Sequence, residues 1–149
     1  MRIIPLLLLF IVVLSTSFSR KNNVNSKVVV HFQKKSCRGK CPQYQLWIYS
    51  NRQMILEGQE NFRYIGTYQL KLKKAEYIKL INLFLEKDFF SFEEFYHDKK
   101  TDLPATILSF TMDSTTKKII IVSGAPTELV SIKNLLEDIA ERKDWIESK

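Results

Sequence analysis

Apolar and polar residues alternate by two along much of this chain, and by three and four along two stretches. Val28, Val29, Val30 and Phe32 make a β-branched run over Lys27–Phe32, the expected first strand. From Gln43 to Tyr49 the alternation is clean. Tyr44, Leu46 and Ile48 fall on one face, and Gln43, Gln45, Trp47 and Tyr49 on the other. Ser50-Asn51-Arg52 reads as a turn, and Gln53–Glu57 returns as a partner strand that Gly58 ends. Tyr64, Gly66, Tyr68, Leu70 and Leu72 share one face of a fourth strand, opposite Thr67, Gln69 and Lys71.

The period then changes. Tyr77, Ile78, Leu80, Ile81, Phe84 and Leu85 repeat at helical spacing, with Glu76, Lys79, Asn82 and Glu86 as the polar stripe, which predicts an amphipathic helix over Lys74–Lys87. Lys73 and Lys74 oppose the helix dipole, so its start is expected to be poorly capped. Phe89, Phe90, Phe92, Phe95 and Tyr96 form a dense aromatic segment, read as a plug at the end of the core, with a ligand groove as the alternative. Thr106, Leu108, Phe110 and Met112 are in register in a fifth strand. Asp113–Thr116 is the hairpin loop and Lys118–Val122 the sixth strand. Pro126 suits the first turn of a last helix whose apolar face is Leu129, Ile132, Leu135, Leu136 and Ile139, ending near Arg142.

The order is ββββαββα. No long crossover joins the first four strands, so they are expected to be antiparallel. The fold class is α+β: a sheet of about six strands with both helices packed on one face, in a single domain from residue 28 to 149.

The N-terminus carries a different pattern. Arg2 precedes an apolar run from Ile3 to Leu14, and Ser17 and Ser19 stand at −3 and −1 of a cut before Arg20. That is the layout of a cleavable secretory signal over residues 1–19, with 20–27 as a flexible lead. The run is shorter than the roughly 20 apolar residues that span a bilayer. The expectation is therefore an exported, periplasmic or secreted protein with no stable membrane span after cleavage. An uncleaved N-terminal tether is the alternative. The chain's formal charge of +7 falls to +6 without Arg2, a balance read as a soluble basic surface. Export argues against nucleic acid as a partner.

Export also governs the reading of Cys37 and Cys41, the two cysteines of the chain. In an oxidising compartment the first reading is a structural disulfide closing a tight loop, with Gly39 supplying unusual backbone geometry. The second is a redox-active dithiol, favoured by Lys34, Lys35, Arg38 and Lys40 around it. Thioredoxin-like motifs, however, use a two-residue spacer and lead into a helix, whereas a strand follows here. The third is a soft-metal site. Cys-x-x-x-Cys-Pro resembles the copper motif of cytochrome-oxidase assembly proteins of the Sco type, and thiolates suit Cu(I). Those proteins use a thioredoxin fold with a distal histidine, and His31 and His97 stand in no matching context.

From Val28 onward the chain also resembles a domain-of-unknown-function family of exported bacterial proteins, mostly from Bacteroidota. The resemblance rests on Cys37-Arg38-Gly39-Lys40-Cys41-Pro42-Gln43-Tyr44, then Gly66-Thr67-Tyr68, then Phe90, Phe95, Tyr96 and Thr101-Asp102-Leu103-Pro104. It implies the fold and export, and brings no catalytic residues. Asn51-Arg52 departs from the Asp-Gly type of turn expected in the first hairpin.

Glu93, Glu94, His97, Asp98 and Asp102 crowd carboxylates around an imidazole. If Glu93–Asp98 were helical, Glu93 would face His97 and Glu94 would face Asp98, an arrangement able to hold a cation or an acid–base pair. The plainer reading is an acidic solvated turn. Trp47 and Tyr49 lie on the polar face of their strand. If that face is uncovered they mark an interaction surface, with Gln69 and Lys71 nearby, for an envelope protein or a glycan. The chain has no Gly-x-Ser-x-Gly elbow, Walker loop, dinucleotide fingerprint or His-Glu-x-x-His. The leading expectation is thus a non-enzymatic binding module without a cofactor. Thiol-redox or metal handling through Cys37 and Cys41 is the alternative.

Overall fold

The computed structural model describes residues 26–98 and 103–148; the segment read as an export signal, most of the expected lead, and Thr101 and Asp102 lie outside them. The described elements are β1 (Val28–Lys34), β2 (Tyr44–Tyr49), β3 (Gln53–Gly58), β4 (Gly66–Lys71), α1 (Lys74–Glu86), β5 (Phe95–Tyr96), β6 (Thr106–Met112), β7 (Thr115–Ile121), α2 (Thr127–Ala140) and β8 (Ile146–Glu147). The eight strands form one sheet in the order β5-β7-β6-β1-β2-β3-β4-β8. Every neighbouring pair is antiparallel except β5 and β7, which run parallel.

The class is α+β, as expected, with two strands more than the sequence predicts. Both additions are two residues long, too short to show a period, and each forms only because a finished sheet edge offers it partners. The aromatic stretch divides accordingly. Phe89–Ser91 is a single 3-10 turn and Phe95–Tyr96 is β5. The β6–β7 hairpin is also tighter than expected, with Asp113 and Ser114 as its loop and Thr115 already in β7.

Alternation decides which face is buried. Val30 and Phe32, Leu46 and Ile48, Met54 and Leu56, Leu108 and Phe110, and Ile119 all point to one side and are fully buried. Leu80 and Phe84 of α1 and Leu129, Ile132 and Leu136 of α2 complete this core. The helices cross that face in opposite directions. α1 carries the chain from β4, near one edge, to β5 at the other, and α2 carries it back from β7 to β8 beside β4.

Local chemistry fixes the ends. α1 is better capped than its lysines suggest, because Glu76 reaches back and accepts the Lys73 N–H at 2.9 Å. Trp145 is buried after α2, and its indole N–H donates to the Ile139 and Ala140 carbonyls at 3.3 and 3.1 Å, adding a partner to the last carbonyls of the helix. In the β2–β3 turn, Arg52 sits at φ 72°, the left-handed region that favours glycine. Its carbonyl accepts the Leu72 N–H at 3.0 Å, so the turn is held to that geometry. Arg52→Gly is expected to stabilise the protein by about 1 kcal/mol, read as a higher urea midpoint at unchanged slope.

Candidate functional site: the uncovered sheet face

With both helices on one side, the other side of the sheet has no layer over it among the described residues. Strand register sets what it displays. Ser109 pairs with Lys118 and with His31, His31 with Trp47, Trp47 with Ile55, Ile55 with Gln69, and Gln69 with Ile146. One row of side chains therefore crosses seven strands, β7 to β8, with Trp47 at its middle. A second row holds Ile120, Ile107, Gln33, Gln45 and Glu57, with Phe95 beside Ile120.

Trp47 is half-buried within this row. Its ring stacks on His31, with centroids 5.3 Å apart and planes 18° from parallel, and His31 Nε2 lies 3.1 Å from Gln45 Oε1. The face thus presents a packed His–Trp pair flanked by Gln45, Ile55 and Lys118. Sequence reasoning placed Gln45, Trp47 and Tyr49 on this face but did not bring His31 or Ile55 to it. The alternation in β1, with His31 between inward Val30 and Phe32, was the signal available for His31.

Burial lowers the His31 pKa; Lys118 and Lys35 push the same way, and the Gln45 hydrogen bond opposes them. The folded state therefore binds this proton less readily than the unfolded chain. Stability is complete above the ordinary histidine value near 6.5, and falls as pH drops through that value toward the lower folded one. Glu76, Glu137 and Asp144, all held below their ordinary values, lose their contributions only as pH drops through the carboxylate range. Urea midpoints are expected to decline in two steps on acidification, and His31→Gln should remove the upper step alone. A wild-type midpoint that rises between pH 7.5 and 5.5 would contradict this sign.

Cys37 and Cys41 form a disulfide with Cα atoms 5.8 Å apart, closing the β1–β2 loop. The Gly39 N–H lies 3.2 Å from Cys37 Sγ. Gly39, expected to supply unusual backbone geometry, has no positive φ; the positive-φ glycines are Gly66 and Gly124.

Residues 28–140, from β1 to the end of α2, match the model of a family described as domain of unknown function DUF6438. The chain belongs to this family. No curated protein matches it.

In this DUF6438 domain the acidic segment does not form the helical pairs that the spacing allowed. β5 is extended, so Glu93 and Glu94 do not sit one turn from His97 and Asp98. The Glu93 N–H donates to Tyr96 Oη at 2.9 Å, and His97 stacks on Phe95. Asp98 is tied to the turn after β7, accepting from Ser123 Oγ and donating its own N–H back to that oxygen at 2.9 Å. Among the described residues no cluster of three metal-ligating side chains occurs, and Asp102 lies outside them.

On the helix side, a cleft of about 330 Å³ lies between α1 and α2, lined by Leu72, Leu80, Leu135 and Ile139. The Arg142–Glu76 pair at 3.2 Å is part of the same lining. Nearer the disulfide, Lys34 and Lys133 hold Glu137 at 2.6 and 3.1 Å. Burial works to raise the Glu137 pKa, but the two lysines outweigh it and the carboxyl stays ionised. Burial likewise drives the Tyr44 phenol upward, with Glu137 and Glu141 adding to it, so Tyr44 stays protonated at neutral pH. These groups are engaged with one another, and none is a free base beside a nucleophile.

Proposed function

We propose that this DUF6438 domain is a non-enzymatic exported module that binds an envelope component through the uncovered face of its sheet. The observation that carries the reading is the row from Lys118 through His31, Trp47 and Ile55 to Gln69. It combines aromatic, apolar and amide side chains in the mixture that protein contact surfaces favour. The Cys37–Cys41 disulfide serves it by holding the loop between the two strands that supply His31 and Trp47. The bacterial origin and the Cys-x-Gly-x-Cys-Pro-x-Tyr motif belong to the same reading, supported by the sequence resemblance. Export is supported by the Arg2, Ile3–Leu14 and Ser17-x-Ser19 pattern.

A photo-crosslinking residue placed at Tyr49 in the exporting cell is expected to trap a partner, while one at Asn82 on α1 is not. Trp47→Ala should abolish the Tyr49 adduct by removing the central contact, a loss of about 2 kcal/mol or more in affinity. Equal trapping from both positions, or an adduct indifferent to Trp47→Ala, would move the binding surface elsewhere.

A further inference from the structure

The end of the sheet from which the N-terminal chain departs is strongly basic. Lys27 and Ser50 are joined by two hydrogen bonds: the Ser50 N–H donates to the Lys27 carbonyl at 2.9 Å and the Lys27 N–H donates to the Ser50 side-chain Oγ at 3.2 Å. Two residues on, the Arg52 carbonyl accepts the Leu72 N–H. These bonds draw three separate backbone segments into one corner and gather Lys27, Arg52, Lys71, Lys73 and Lys74 there. All but half-buried Arg52 are exposed.

Two of the acidic groups beside this corner, Glu76 and Asp144, are already engaged. Arg142 holds Glu76 at 3.2 Å and Asp144 at 2.8 Å, and Glu76 also caps Lys73. Asp113 adds one carboxylate in the neighbouring β6–β7 hairpin. Lys73 and Lys74 further stand at the positive pole of α1, where cations cost helix stability, so the corner's positive potential is maintained against local folding preference.

The direction of the chain agrees with the charge. Residue 26 leaves from this corner, and upstream of it stand Arg20 and Lys21 and then the apolar run Ile3–Leu14. Fully extended, Ser15–Asn25 spans at most about 40 Å. While the apolar run is still attached, during export or in the uncleaved alternative, the end of the sheet nearest a bilayer it meets is this one, because the chain enters the domain here.

We propose that the Lys27–Arg52–Lys74 corner docks on a membrane surface, its ammonium and guanidinium groups pairing with the phosphates of anionic phospholipid headgroups. The docking goes beyond the sheet-face reading and does not depend on it. The corner is an end of the strands and the Trp47 row lies on their face, so the docked domain keeps that row sideways to the membrane and open to a partner.

The test is flotation of the mature chain starting at Arg20, in which the apolar run cannot anchor to either membrane, with two kinds of vesicle: phosphatidylcholine alone, and phosphatidylcholine with about one-third phosphatidylglycerol. Binding is expected to favour the anionic vesicles and to be lost at high salt. Lys71→Glu/Lys73→Glu/Lys74→Glu should weaken it about 100-fold or more. The control variant Lys35→Glu/Lys40→Glu/Arg63→Glu makes the same charge change at the disulfide end and should weaken it far less. Circular dichroism melts confirm that both variants are folded; a corner variant that does not fold is replaced by the charge-removing Lys71→Gln/Lys73→Gln/Lys74→Gln. Equal binding to both vesicle types, or an equal loss in the two charge-reversed variants, overturns the proposal. So does the corner retaining a soluble acidic polysaccharide while ignoring anionic vesicles. None of these outcomes bears on the crosslink at Tyr49, so the two readings fail separately.

Discussion

Replacing Phe84 by alanine is expected to destabilise the protein by about 4 kcal/mol. Phe84 is fully buried in α1. It stacks on Phe110 of β6 at 4.4 Å and meets Phe89 of the 3-10 turn at 5.0 Å. Phe90 reaches the same Phe110 ring at 5.6 Å. Truncation therefore empties the middle of an aromatic cluster that joins helix, turn and sheet, and rings this rigid do not collapse into the space. A melting temperature lower by about 15 °C is the expected measurement. Leu85, the next residue, is 43 % exposed, so Leu85→Ala should change stability by only about 0.5 kcal/mol. A loss at Phe84 no larger than at Leu85 would mean that α1 does not pack on β6.

Gly58→Ala should cost about 3 kcal/mol, for a reason that has nothing to do with backbone freedom. Gly58 pairs with Gly66 across β3 and β4, and the chain between them folds back so that the Tyr64 carbonyl rests against the Gly58 Cα. An added methyl would sit inside that carbonyl's van der Waals shell, with the Phe62 ring only 3.0 Å away on another side. The loop from Gln59 to Ile65 would have to move. It carries Phe62, stacked on Tyr44 at 4.2 Å, and Tyr64, whose hydroxyl donates to the Arg142 carbonyl at 2.6 Å. The loss should appear in the melting temperature, about 10 °C lower, and in hydrogen exchange of the loop. Gly66 is the comparison: it has positive φ but open space around it, so Gly66→Ala carries backbone strain and no clash. Gly58→Ala melting above Gly66→Ala would show that the close approach does not exist.

The candidate site was partly legible in the sequence. Period-two alternation in Gln43–Tyr49 placed Trp47 and Tyr49 opposite the core, and the structure puts both on the uncovered face. Alternation cannot say which residue of another strand stands beside Trp47, since that depends on register. His31 and Ile55 flank it because β1 and β3 pair with β2 at particular offsets, and a shift of one residue would have turned them to the core. The acidic segment shows the converse. Its spacing was compatible with helical pairs, but Phe95 and Tyr96 were recruited by the edge of β7, and pairing with a finished strand overrode the local pattern.

Local periodicity was enough to determine the six longer strands, both helices, their order and the α+β class, because each of those elements buries one face and must repeat its apolar residues at its own spacing. The proximity of Cys37 and Cys41 in the chain was likewise enough to suggest their disulfide. Tertiary structure alone decided the rest. β5 and β8 exist because the edges of a completed sheet offer unpaired backbone groups. Gly58 is constrained by a carbonyl six residues away, and Trp145 by carbonyls at the end of α2. The basic corner gathers lysines from three segments through backbone hydrogen bonds that no periodicity encodes. Contacts between residues far apart in the chain form only once the chain is folded, and they leave no repeating trace along it.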